Sequence, residues 1–107
     1  MAFTLTSAEE FDKVILDDSL VVVEFYADWC SPCHKMEKFL QELINDTKYA
    51  EKDIKFYRVN VDTLPGVAKM VGVQALPTFV CYKENRKLDE SVGASKGGLK
   101  KMLKKHI

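Results

Sequence analysis

Apolar and polar positions follow two rhythms along this chain, and the switches between them mark out strands and helices. Leu20-Val21-Val22-Val23-Glu24-Phe25-Tyr26 is apolar but for one carboxylate, the pattern of a central strand buried on both faces. Ahead of it, Phe3-Thr4-Leu5 reads as a short strand. Thr6 and Glu9 form a capping-box start for a helix to about Leu16, with Phe11, Val14 and Ile15 inward. Beyond the central strand, Pro32 suits a first helical turn. Met36, Phe39, Leu40, Leu43 and Ile44 then recur at three-and-four spacing to about Thr47, which is a core stripe.

The period returns to two over Ile54 to Val61, a further strand, and Pro65 opens a short helix through about Val71. Thr78 to Lys83 and Lys87 to Val92 are strands joined by Glu84-Asn85-Arg86 as a hairpin turn. From Ser95 a last helix holds Leu99, Met102 and Leu103 on one face. Lys96, Lys100, Lys101, Lys104 and Lys105 surround them, a solvated face whose cations suit a helix C-terminus. No Pro/Gly/Ser-rich linker, repeat or low-complexity stretch interrupts the alternation, so residues 1–107 are expected to form a single α/β domain.

Composition narrows the function classes. A chain of 107 residues can bury a core without disulfide staples, and three cysteines do not make a disulfide framework. Sixteen basic and sixteen acidic residues cancel, so no global field recruits nucleic acid or an anionic membrane. Met1 to Glu10 lacks a basic region and an apolar core of the signal-peptide kind, and the apolar runs are far too short to span a bilayer. A reducing cytoplasm is the expected compartment.

Against that background Cys30-Ser31-Pro32-Cys33 stands out, directly after the central strand and opening a helix. Backbone N–H groups at a helix start favour a thiolate, so the pair reads as a dithiol that switches with a disulfide. Two other readings compete. A structural zinc wants four ligands, and His34, Cys81 and His106 supply no second paired motif. Cys30-x-x-Cys33-His34 also matches the c-type haem attachment pattern, with Met36 or Met70 as axial candidates. Haem attachment normally happens outside the cytosol, however, and a motif following a buried strand fits thiol chemistry better.

Val23-Glu24-Phe25-Tyr26-Ala27-Asp28-Trp29-Cys30-Ser31-Pro32-Cys33 resembles the active-site segment of the thioredoxin family. Val59-Asn60-Val61-Asp62 is similar to that family's third strand, Val73-Gln74-Ala75-Leu76-Pro77-Thr78 to its cis-proline loop, and Ser91-Val92-Gly93-Ala94-Ser95-Lys96-Gly97 to the turn before its last helix. The resemblance spans nearly the whole chain. It implies the thioredoxin fold, a central mixed five-stranded sheet flanked by about four helices, with the dithiol at the end of the second strand.

The activity implied is protein disulfide reduction by thiol–disulfide exchange. Cys30, the more exposed cysteine, attacks a client disulfide, and Cys33 resolves the mixed disulfide. The resemblance implies no bound cofactor or metal, with electrons supplied from NADPH through a flavoprotein reductase. The expected partners are disulfide-containing client proteins and that reductase, with no nucleic acid or membrane, and the chain is expected to act as a monomer. The resemblance further implies a cis bond before Pro77, which turns the chain beside the disulfide. It also implies a collar around Cys30 of Trp29, Ser31, Pro32, Val61, Ala75, Leu76, Val92, Gly93 and Ala94, where an extended client adds main-chain hydrogen bonds. A disulfide isomerase or oxidase, or a binding module without turnover, is the alternative.

Glu24 interrupts an apolar strand where an unpaired carboxylate is costly. Thioredoxins commonly place Asp there, whereas Glu-Phe-Tyr-Ala is shared with disulfide isomerase domains. Glu24 is expected to have a raised pKa and to accept the proton of Cys33; the competing reading is a carboxylate merely paired with a base. Arg58 stands where the family usually has Lys and, as a neighbour, would hold Glu24 more ionised. Lys38 replaces a helix-kinking Pro, His34 replaces a usual Lys, and Cys81 is expected to be a buried small apolar residue.

Overall fold

The strand Leu20–Tyr26 is buried at every position, on both of its faces, and the architecture follows from covering them. The computed structural model describes residues 2–107; Met1, which begins the stretch read above as lacking a leader, lies outside them. The strands among these residues are β1 (Phe3–Thr4), β2 (Leu20–Tyr26), β3 (Ile54–Asn60), β4 (Thr78–Lys83) and β5 (Arg86–Val92). They form one sheet in the order β1-β3-β2-β4-β5. β3 runs parallel to both β1 and β2, β4 is antiparallel to β2, and β5 is antiparallel to β4. The mixed five-stranded sheet is the thioredoxin fold that the sequence implies.

Helices cover the two faces. On one, Val21, Val23 and Phe25 pack with Phe11 and Ile15, from helix α1 (Ala8–Val14) and its cap, and with Val67 and Ala68 of α4 (Pro65–Val71). On the other, Leu20 and Val22 share a core with Met36, Leu40 and Leu43 of α2 (Ser31–Asn45) and with Leu99, Met102 and Leu103 of α5 (Lys96–His106). The lysines of α5 lie outside that core and are exposed. Among the described residues no helix is long and apolar enough to cross a membrane.

The structure departs from the sequence reading at element ends and in one added element. A further helix, α3 (Thr47–Ala50), makes five helices where about four were expected; Asp46 is extended, accepts from Lys48 N at 2.9 Å, and ends α2 ahead of Thr47. The α1 cap sits one residue later than expected. Ser7 Oγ accepts from Glu10 N at 3.0 Å, while Glu10 Oε1 accepts from Thr6 N at 2.7 Å, so the reciprocal pairing uses Glu10 in place of Glu9. The helix also stops at Val14, leaving Leu16 58% exposed. The β4–β5 turn is tighter than expected: Glu84 and Asn85 adopt φ of 51° and 69°, a two-residue turn of the hairpin-favouring kind, and Arg86 joins the ladder opposite Lys83.

Candidate active site

The site is assembled where β2 ends and α2 begins. Cys30 N donates to Ala27 O at 3.1 Å, closing a turn through Asp28 and Trp29, and Cys30 caps α2 in an extended conformation. Pro32 at the start of the helix needs no N–H partner there. Cys30 and Cys33 are joined as a disulfide, with Cα atoms 5.3 Å apart. Cys30 Sγ also accepts from Cys33 N at 3.2 Å. An orphan helix N–H thus points at the sulfur, and in the reduced protein that placement favours negative charge on Cys30. Cys30 retains 4% of its surface exposed and Cys33 none, so access to the pair is through Cys30.

Around the sulfurs, Tyr26 and Ala27 form a small cluster with the two cysteines, and Val61 and Leu76 pack against it. The Leu76–Pro77 bond is cis. Pro77 O accepts from Gly93 N at 2.7 Å, which ties the proline loop to the end of β5; Gly93 there has φ of 92°, open to glycine at no cost. Thr78 Oγ1 donates to Ala75 O at 2.6 Å and tightens the same loop. Ala75 and Val92 line one shallow groove with Gln74 and Glu90. Trp29, 71% exposed, is held by its Nε1 donating to Asp62 Oδ2 at 2.8 Å, and Val92 is 52% exposed. Ser31 and Pro32 are exposed on the first turn of α2, and Ala94 is exposed between β5 and α5.

Glu24 lies on the face of β2 that α2 covers and is 1% exposed. In the sheet register it stands opposite Arg58 on β3 and Phe79 on β4. Arg58 Nε donates to Glu24 Oε1 at 2.8 Å, while Oε2 is buried without a hydrogen-bond partner, alone in this among the described residues. Burial pushes the Glu24 carboxyl above its ordinary range, and the Arg58 charge and hydrogen bond pull against that without reversing it. The guanidinium stacks on the Tyr26 ring, 3.8 Å from its centroid, and reaches Glu37 Oε1 with Nη2 at 3.5 Å. Cys81 is buried and free; loss of hydration pushes its thiol up to about 11.

Sequence reading missed Glu37, which touches both Arg58 and His34, and Asp62, which anchors Trp29. The i,i+3 spacing of His34 and Glu37 was the available signal for the first. Asp62 offers none, because its partner is 33 positions away in the chain.

A family model described as Thioredoxin matches residues 2–105. A thioredoxin of Malassezia sympodialis is 39% identical over 102 residues, 95% of each chain. The mitochondrial thioredoxin-3 of Saccharomyces cerevisiae is 37% identical over 100 residues, covering 94% of this chain and 76% of the yeast protein. The crystal structure of the Malassezia thioredoxin superposes with a TM-score of 0.91 at 31% identity, covering 99% of this chain and 90% of that one.

Proposed function

Because this chain belongs to the thioredoxin family, whose members are protein-disulfide oxidoreductases that carry no bound cofactor, we propose a division of labour among its residues in the exchange reaction. The Cys30 thiolate attacks one sulfur of a client disulfide, forming a Cys30–client bond and expelling the other client sulfur as thiolate. Cys33 then gives its proton to Glu24, attacks Cys30 Sγ, and releases the second client thiolate, leaving the disulfide in which the pair is found here. Two electrons pass from the dithiol to the client.

The observation that carries this reading is the Cys30–Cys33 pair at the start of α2, with Cys33 N donating to Cys30 Sγ at 3.2 Å. For Glu24 the support is chemical. Burial raises the proton affinity of this carboxyl above its ordinary value, while the Arg58 bond opposes that rise, and a carboxylate of raised affinity is the better base for a thiol proton. Pro77 and the collar of Trp29, Ser31, Pro32, Val61, Ala75, Leu76, Val92, Gly93 and Ala94 form the client platform in this reading. The whole chain acts as one monomeric domain in the cytoplasm, and a flavoprotein reductase returns electrons from NADPH.

The reduction potential of the Cys30–Cys33 pair, measured with Cys81 replaced by Ser, tests the direction of electron flow. A value near about −270 mV, typical of thioredoxin, supports a reductant, and one near about −180 mV moves the reading to an isomerase or oxidase. Glu24→Gln is expected to slow release of the mixed disulfide while leaving the first attack nearly intact. Equal rates for variant and wild type in both steps would remove Glu24 from the mechanism.

A further inference from the structure

A line of alternating charge runs from the surface to Glu24, and its outer end is the residue next to the resolving cysteine. His34 has an exposed ring with an acceptor at each nitrogen: Nε2 lies 2.6 Å from Asp28 O, and Nδ1 lies 3.3 Å from Glu37 Oε1. A neutral imidazole donates from one nitrogen only, so filling both contacts requires the imidazolium. The same Glu37 oxygen lies 3.5 Å from Arg58 Nη2, and Arg58 Nε holds Glu24 Oε1 at 2.8 Å. The order is cation, anion, cation, anion, ending on a carboxylate with one oxygen unpartnered among the described residues.

The physical consequence concerns Glu37. Its charge has the same sign as that of Glu24 and disfavours ionisation there. An imidazolium seated on Glu37 offsets that repulsion and leaves Arg58 committed to Glu24. We propose that His34 is a positioning residue for the resolving step: its positive charge, acting through Glu37 and Arg58, keeps the buried Glu24 carboxylate ionised and ready to take the Cys33 proton. The proposal rests on the reading of Glu24 as that proton acceptor.

Other charged groups near the line are few. Facing His34 are Glu37 on its own helix and the carboxylate of Asp28 on the preceding turn, both of which favour the imidazolium. Lys38 lines a shallow groove with Glu37 and Arg58. At Glu24 the charges are Arg58 on β3 and Glu37 on α2, while β4 presents the uncharged Phe79. As pH rises through the His34 titration, the repulsion from Glu37 returns. Glu24 then holds its proton more firmly, so the two titrations are coupled and the Glu24 curve is broadened.

The test is a ¹³C NMR titration of the Glu24 carboxyl in the disulfide form, where neither Cys30 nor Cys33 titrates, with Glu24→Gln to assign the signal. His34→Gln should move the Glu24 midpoint up, Glu37→Gln should move it down, and His34→Lys, which restores a cation, should return it toward wild type. In the Glu37→Gln background, His34→Gln should have little further effect. On the acid limb of its pH profile, the resolving rate of His34→Gln measured by stopped flow should fall about two- to fivefold, the range of a single exposed charge contact. An unmoved Glu24 midpoint in His34→Gln, or a full-sized shift that persists without Glu37, overturns the proposal. If Glu24→Gln resolves at the wild-type rate while the midpoint still follows His34, the base reading falls and the electrostatic coupling stands.

Discussion

The two faces of the sheet are equally buried along β2 but differ in what they bury. On the α1–α4 side, Val21, Val23 and Phe25 pack among aliphatic and aromatic side chains, and the ring of Phe11 stands edge-on to Phe25 with centroids 6.3 Å apart. On the α2–α5 side the strand is apolar at Leu20 and Val22, then turns ionic and aromatic at Glu24 and Tyr26, where Arg58 joins them. The second core is therefore divided along the strand: its far end holds the helices on, and its near end lies under the start of α2, which carries the cysteines. The strand's own titratable carboxylate and its ion pair thus sit at one corner, on the face that α2 covers.

The largest effect that tests this contrast comes from the chemical corner. Cys33→Ser removes the resolving nucleophile and is expected to cut multiple-turnover reduction by at least about 10⁴-fold. The covalent Cys30–client adduct should accumulate and be visible as added mass. A variant that still turned over would mean that resolution proceeds through another thiol. The matching change on the apolar face is Phe25→Ala, which empties a fully buried site and is expected to cost about 3–5 kcal/mol in denaturant unfolding. Whatever activity it keeps should retain the wild-type pH profile; an altered profile would break the separation of the two faces.

Much of this contrast was legible in the sequence. The single carboxylate within Leu20–Tyr26 announced a costly buried charge before any partner was known, and the Cys30-x-x-Cys33 pair announced the chemistry. The start of α4 follows from Pro65, and α5 begins after the Ser95 cap with its lysines outward. What could not be read is tertiary. α3 is one turn, held by the Asp46 cap and the burial of Tyr49, and so short an element shows no period. Thr6-Ser7-Ala8-Glu9-Glu10 satisfies the capping pattern in two registers, and only the docking of Phe11 and Ile15 selects the second. Arg58 was nameable as a neighbour by resemblance. Its bond to Glu24 depends on the β2–β3 register, and the link onward to Glu37 depends on how α2 lies across the sheet.

Glu24→Gln sharpens the comparison through stability. The carboxyl has an ordinary value of 4.5 and is raised in the fold, chiefly by burial. Below 4.5 both folded and unfolded chains carry it protonated. As pH rises above that, the unfolded chain ionises first, so the wild type loses stability until the folded group ionises as well. By this linkage alone Glu24→Gln should be more stable than wild type at pH 8. That difference should close as the pH falls toward 4.5, whereas no substitution of Val21 or Val23 should show any such pH dependence. A Gln variant less stable than wild type at pH 8 would mean that the Arg58 pairing outweighs the cost of burial.

The smallest effect lies at the exposed end of the same corner. His34 is raised from its ordinary 6.5, first by its bond to the Asp28 carbonyl and then by Glu37, with loss of hydration opposing both. A group that gains proton affinity on folding contributes stability that is fully present below 6.5 and is lost as pH rises through the raised folded value. Comparing wild type with His34→Gln in urea unfolding at pH 5.5 and pH 9 should show the wild type ahead at the lower pH, with most of the gap gone at the higher. Added salt should shrink the low-pH gap, because the ring is 53% exposed and its partners are screened. A gap that ignored pH would locate the value of His34 in packing, and the charged corner would then be electrostatically closed at Arg58, one residue short of the solvent.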